Sequence, residues 1–120
     1  VEKTGVDALA ISVGTAHGAY KLPPKLDFER IKTIANTISV PLVLHGGSGL
    51  TDDDFRQAIS QGISKVNIFT DLNLAAANAE KELLMAHDNK GVTDLIPLIV
   101  DSVRDETMKK MMLFSSNDRI

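Results

Sequence analysis

"VPLVLHGGSGL", residues 40–50, sends Val40, Leu42, Val43 and Leu44 straight into His45, Gly46, Gly47, Ser48 and Gly49. A near-continuous aliphatic run of this kind reads as a strand buried on both faces, as parallel sheets require. A titratable ring at its end, followed by residues with almost no side chain, suits a strand-end site. The ring can bind a metal, and the bare backbone lets N–H groups approach an anion. "DALAISVGT" (7–15) and "KVNIFT" (65–70) have the same character, which gives three expected strands.

Helical patterns separate these runs. In "DFERIKTIANTI" (27–38), Ile31, Ile34, Ala35 and Ile38 recur at i, i+3, i+4 and i+7, one helical face. In "TDDDFRQAISQG" (51–62), Thr51 is an N-cap, Asp54 takes the capping-box position, and Asp52 to Asp54 place negative charge where the helix dipole favours it. Gly62 falls where a left-handed residue ends a helix. In "TDLNLAAANAEKELLMA" (70–86), Leu72, Ala75, Ala76, Ala79 and Leu83 form another stripe. A looser stretch around "DNKGVTD" (88–94) precedes "LIVDSVRDETMKKMMLF" (98–114), which reads as helix. Strand–helix alternation implies an α/β fold with a parallel sheet and right-handed crossovers. Three such strands make a poor free-standing domain, and the chain does not begin with Met, so it is expected to be part of something larger.

The chain has 120 residues, 43% hydrophobic and 24% charged, with a net charge of −3, so no basic excess is available for sequence-blind nucleic-acid binding. No apolar run approaches the roughly 20 residues of a membrane span. The opening "VEKTGVDALA" lacks a basic segment followed by an apolar one. A protein without nucleic-acid or membrane partners, located in the cytoplasm, is the expectation. With no cysteine, any metal must be held by His, carboxylate or carbonyl groups.

"GTAHGAYK" (14–21), "LHGGSG" (44–49) and "NIFTD" (67–71) each fall at the C-terminal end of an expected strand, the edge where parallel α/β proteins build sites. His17 and His45 would then be neighbours able to share Zn²⁺. A single histidine at a strand end also serves as a hydrogen-bonding structural residue. Gly46 to Gly49, just ahead of the Thr51 helix, resemble a phosphate site at a helix N-terminus or, more plainly, a tight turn. Asn67 and Thr70 add an amide and a hydroxyl at the third strand end; they also suit strand termination and N-capping. His87, late in a helix, reads as a surface residue beside the dipole.

In this order and spacing the three segments closely resemble the zinc-dependent class II fructose-bisphosphate/tagatose-bisphosphate aldolases over essentially the whole chain. "LFSSNDRI" (113–120) resembles a variant of that family's C-terminal "FGS" segment. The resemblance implies a TIM (β/α)8 barrel, a fold of about 250 residues. Residues 1–120 would form the C-terminal part of one aldolase barrel domain, with the N-terminal half outside this chain. Carried over by position, His17 and His45 match two of three zinc ligands. Gly18, Gly46, Gly47 and Ser48 match groups that hold dihydroxyacetone phosphate, and Asn67, Ile68, Phe69 and Thr70 match the rest of that site. A monovalent cation near the phosphate, held by backbone around Gly18 and Gly46, is also implied. Phe69 departs from the small or acidic residue usual in the family.

The implied reaction is reversible cleavage of a fructose- or tagatose-1,6-bisphosphate-type sugar to dihydroxyacetone phosphate and an aldehyde. Zinc polarises the ketone and stabilises the enediolate. The third histidine and the acid/base carboxylates belong to the missing half, so no catalytic acid/base is expected within this chain. A Schiff-base lysine is the other aldolase strategy; Lys65 reads as preceding its strand, at the wrong end, and Lys21 as facing phosphate or solvent. The family implies a homo-oligomer, dimer or tetramer. Two other readings stay open: a non-catalytic fragment or phosphate-binding module of the same fold, and a phosphate-binding isomerase or epimerase. The second makes no use of paired histidines. On its own the 120-residue chain is expected to fold poorly or self-associate, and to lack aldolase activity even with added Zn²⁺.

Overall fold

The computed structural model describes residues 1–15 and 24–117. They fall into two compact units, Val1–Ile68 and Phe69–Ile120. The first holds β1 (Leu9–Ala10), α1 (Phe28–Thr37), β2 (Leu42–Leu44), α2 (Asp52–Ser60) and β3 (Ile63–Val66). The strands form one parallel sheet in the order β1-β2-β3, as the strand–helix alternation implies. Leu9 pairs with Leu42 and Ala10 with Val43; Leu42 pairs with Ile63, Val43 with Lys65 and Leu44 with Val66. The step from Leu42/Ile63 to Val43/Lys65 leaves Ser64 as an extra residue, a bulge in β3.

The core of this unit comprises Val13, Leu26, Ile31, Leu42, Val43, Leu44, Phe55, Ala58 and Ile63, all buried. Every residue of β2 is buried, as a central parallel strand demands. Ile31 leads the apolar face of α1, with Ile34, Ala35 and Ile38 half-buried along it. α2 starts as its sequence predicts. The Asp54 amide donates to Thr51 Oγ1 at 3.2 Å, and the Thr51 amide donates to Asp54 Oδ2 at 2.9 Å. Gly62, at φ +119°, turns the chain out of α2.

The strands are shorter than their apolar runs. Of residues 7–15 only Leu9–Ala10 form strand, though the Ile11 amide still reaches the Val43 carbonyl at 3.4 Å. The third strand lies earlier than expected, at Ile63–Val66 rather than 65–70, because Gly62 delivers the chain directly into the sheet. The Asn67 amide closes the ladder on the Leu44 carbonyl at 3.0 Å.

Gly14 permits the turn after β1. It has φ +98°, and a Cβ there would lie 2.2 Å from the Lys25 carbonyl oxygen, a backbone atom tied down by the Asp27 amide donating to Val13 O at 3.0 Å. Gly14→Ala combines a left-handed backbone with a clash that no side-chain rotation relieves. We expect it to destabilise the full-length protein by about 2–4 kcal/mol, read from the denaturant midpoint. A loss below about 0.5 kcal/mol would show that this turn has another conformation available.

The second unit is a pair of helices, α3 (Thr70–Ala86) and α4 (Val92–Leu113). The predicted stripe of Leu72, Ala75, Ala76, Ala79 and Leu83 is the half-buried side of α3. α4 answers with Leu95, Leu98, Ile99, Ser102, Val103 and Thr107, and the Ser102 hydroxyl donates to the Ala75 carbonyl at 2.9 Å. Lys110 pairs with Asp71, joining the last turn of α4 to the first turn of α3; each charge also complements its own helix dipole. α4 begins at Val92, ahead of the expected segment and of Pro97. The Gly91 amide donates to Asp94 Oδ2 at 3.1 Å and starts the helix there, and that bond, with Lys90 beside it, holds the Asp94 carboxyl below its ordinary range. Among the described residues no helix is long and apolar enough to cross a membrane.

Candidate functional site

The residues that follow each strand build the C-terminal edge of the sheet. Thr15, after β1, donates its hydroxyl to the His45 carbonyl at 2.7 Å, which ties the first strand end to the second. His17 and Gly18, together with Lys21, lie outside the described residues.

His45 immediately follows β2 and is half-buried. Its ring meets the Asn67 side chain, with Asn67 Nδ2 at 2.9 Å from Nε2 and 3.3 Å from Nδ1; the shorter approach is the hydrogen bond. The bulge at Ser64 makes this meeting possible. With Val43 opposite Lys65, two further residues along each strand bring His45 and Asn67 to the same face. Without the extra residue Asn67 would face away from His45. The Lys65 ammonium donates to Asn67 Oδ1, so the other end of the amide is the NH₂ group, which can only donate. The ring nitrogen it meets is therefore an acceptor. A lone pair on a neutral imidazole nitrogen is what a metal ligand must offer.

Lys65 thus corrects the sequence expectation. It is the next-to-last residue of β3, not a residue ahead of the strand, and its ammonium reaches toward the C-terminal edge.

After His45 the chain turns through glycine. Gly46 (φ +68°) and Gly49 (φ +82°) both use left-handed backbone, and the Leu50 amide donates to the Gly47 carbonyl at 3.2 Å to close the turn. Gly47 is buried. A Cβ on it would lie 2.9 Å from Phe55 Cε1 and 3.8 Å from Ile68 Cδ1, so the loop is pressed onto α2 and the chain after β3. Ile68 contributes packing here. Among the described residues the amides of Gly47 and Ser48 donate to no protein acceptor. The α2 N-terminus itself is taken: its cap is closed by Thr51 and Asp54, and Asp52, Asp53 and Asp54 fill its first turn. Donors for an anion on this edge are therefore the loop amides and the Ser48 hydroxyl rather than the helix end.

Asn67 and Ile68 close the first unit; Phe69 and Thr70 open the second. Phe69 is the N-cap of α3, without a side-chain capping bond, and its side chain is 76% exposed. Thr70 is the first helical residue, so the expected threonine N-cap is not formed and its hydroxyl is not spent on the helix end. His87 is the exposed C-cap of α3, as a surface role predicts. Asp7 is exposed ahead of β1. Thr15 and Lys65 also contact this edge, and sequence reasoning assigns neither of them a contact there.

Among the described residues no group of three or more His, Cys, Asp or Glu could hold a metal ion. Among the described histidines, His45 is the one that combines a strand-end position with an acceptor ring nitrogen.

Parallel strands alternating with helices, their C-terminal edge carrying an imidazole, an amide and a glycine loop, define an α/β protein with a candidate site at its strand ends. The chain belongs to the class II fructose-bisphosphate aldolase family, whose model, described as "Fructose-bisphosphate aldolase class-II", matches residues 1–119. It is 41% identical over 119 residues to the uncharacterised protein YdjI of Escherichia coli K12, covering 99% of this chain and 41% of YdjI. The crystal structure of the E. coli YdjI aldolase is similar at TM-score 0.86 and 38% identity, covering 98% of this chain and 42% of that one. That of a putative fructose-1,6-bisphosphate aldolase from Coccidioides immitis matches at TM-score 0.88 and 27% identity, over 98% and 41%. The chain therefore spans about two-fifths of the length of these relatives.

Proposed function

We propose that this chain is the C-terminal, metal- and phosphate-binding part of a zinc-dependent ketose-bisphosphate aldolase. The observation that carries the reading is the His45–Asn67 pair at the C-terminal strand edge, next to the Gly46–Gly49 loop. Residues 1–120 belong to one (β/α)8 barrel domain in this reading. β1 and β3 are edge strands here, and the remaining strands of the barrel would pair with them.

His45, with His17 and a third ligand from elsewhere in the polypeptide, would hold Zn²⁺. Bound there, the metal supplies a Lewis acid for a substrate carbonyl. The chain's own residues do the rest of the positioning. Asn67 presents amide N–H groups beside the ring, placed to orient a substrate oxygen. The Gly47 and Ser48 amides and the Ser48 hydroxyl hold the phosphate of dihydroxyacetone phosphate together with Gly18 and Gly46, and the family resemblance implies a further hydroxyl from Thr70. A monovalent cation near that phosphate fits the same glycine backbone. Phe69 stands exposed where a small or acidic residue is usual in the family, so the contacts offered to the sugar chain differ there. The substrate is a fructose- or tagatose-bisphosphate-type sugar, and the full-length protein works as a homo-oligomer in the cytoplasm.

The test is the full-length enzyme assayed for cleavage of both bisphosphates, with Ser48→Ala alongside. Removing a hydroxyl that bonds a phosphate dianion costs about 1.5–3 kcal/mol. Dihydroxyacetone phosphate should therefore bind about 10- to 100-fold more weakly by calorimetry, with zinc content unchanged. Normal binding by Ser48→Ala would remove the loop from the phosphate site. A full-length protein that binds zinc and phosphate but cleaves neither sugar would favour a binding module.

A further inference from the structure

We infer that Lys65 is a positioning residue for the aldol reaction, acting through Asn67. The inference rests on the proposed placement of Asn67 in the substrate site and goes one residue beyond it. An asparagine amide has two ends of nearly equal shape and opposite hydrogen-bonding character. Which end faces the site decides whether Asn67 offers a substrate oxygen a donor or a repelling lone pair. Nothing in the Asn67 backbone fixes that choice. Lys65 does: an ammonium has donors only, so its bond to Oδ1 locks the oxygen away from the site and turns the NH₂ toward His45.

The strand geometry makes the device local. Lys65 and Asn67 are two residues apart along one strand direction, hence on one face, and the Ser64 bulge puts that face in register with Val43 and His45. Among the described residues the Lys65 ammonium makes one hydrogen bond, to Asn67 Oδ1, and no ion pair. The Lys65 side chain is exposed, and its ammonium meets the amide of a proposed substrate-binding residue. A positive charge next to the amide also polarises it, which strengthens the N–H groups at its other end as donors.

The test is a double-mutant cycle in the full-length, zinc-loaded enzyme. Lys65→Met keeps most of the side-chain length and loses the donor; Asn67→Ala removes the group it orients. Lys65→Met should lower kcat about 10- to 100-fold, the range lost with one charge-assisted bond, while KM and zinc content stay within about twofold. Lys65→Arg, which can donate to the same oxygen, should recover to within about fivefold of the parent. Added to Asn67→Ala, the Lys65→Met change should cost less than about twofold, since a residue that acts through Asn67 has nothing left to orient. Thermal melting of each variant reports folding independently. Losses that multiply in the double variant, or Lys65→Met kinetics within about threefold of the parent while Asn67→Ala is impaired, would overturn the inference and leave the site reading standing. An Asn67→Ala enzyme with parental kinetics would overturn both, and is distinguishable because it needs no Lys65 variant to see it.

Discussion

Replacing His45 with alanine in the full-length enzyme is expected to release the metal and lower kcat/KM by about 1,000-fold or more. A Lewis acid contributes several kcal/mol to stabilising charge on a carbonyl oxygen, and about 1.36 kcal/mol is tenfold in rate. His45 is the described histidine whose ring nitrogen is an acceptor at a strand end, held by Asn67 at 2.9 Å and anchored through its carbonyl by Thr15 at 2.7 Å. His87, the exposed C-cap of α3, serves as the control; His87→Ala should leave metal content and kcat/KM within about twofold, since a surface substitution away from such features changes little. Metal analysis of both variants separates loss of a ligand from general damage. A His45→Ala enzyme that keeps its zinc would remove His45 from the ligand set. Because the ring also partners Asn67, part of the kinetic loss will come from a displaced amide. Metal content is therefore the cleaner readout.

The parallel sheet, the helix starts and the helix stripes are legible in the sequence because each is a local pattern with one physical cause. Thr51 and Asp54 close a capping box that their spacing announces, and Leu72, Ala75, Ala76, Ala79 and Leu83 are the half-buried side of α3 as their spacing requires. Strand limits are less legible. A run of aliphatic residues shows where a strand could be, but pairing is set by the neighbouring strand, and β2 is only Leu42–Leu44 long. The third strand begins two residues ahead of its expected place. "KVNIFT" looks more strand-like than "ISKV", yet Gly62 has already turned the chain into the sheet. Placing Lys65 at the start of the run rather than inside the strand hides how far its ammonium reaches toward the C-terminal edge. A strand begun at Ile63 and the alternation Lys65, Asn67 would have exposed the pair. The Ser64 bulge has no sequence signal of its own. Likewise, the triple aspartate of α2 reads as a helix-start signal and the glycine loop as a helix-end phosphate site, yet the first weakens the second. Three carboxylates in the first turn oppose an anion at that helix end.

The second large effect expected is metal dependence without a covalent lysine intermediate. Dialysis of the full-length enzyme against a chelator should abolish cleavage of the bisphosphate sugar, and added Zn²⁺ should restore it. Borohydride added during turnover should leave activity intact. The two halves of this experiment test opposite chemistries. A Schiff base needs a lysine whose nitrogen has given up its proton and stands free to attack a carbonyl. Lys65 has the right end of the strand for that role, which makes it the proper suspect. Its nitrogen, however, is engaged as a donor to Asn67 Oδ1, and a nitrogen donating to an amide oxygen points its hydrogens, not a lone pair, at its partner. His45 presents the reverse arrangement, a ring nitrogen with its lone pair directed at an N–H group that a metal can displace. In these contacts the imidazole offers an electron pair and the amine a hydrogen, which suits the first to a metal and the second to holding an amide. Loss of activity after borohydride with substrate, together with a substrate-sized mass addition on Lys65, would reverse that assignment and make the lysine the reacting group. Chelator-sensitive, borohydride-resistant cleavage would leave Lys65 the role of holding Asn67 in place.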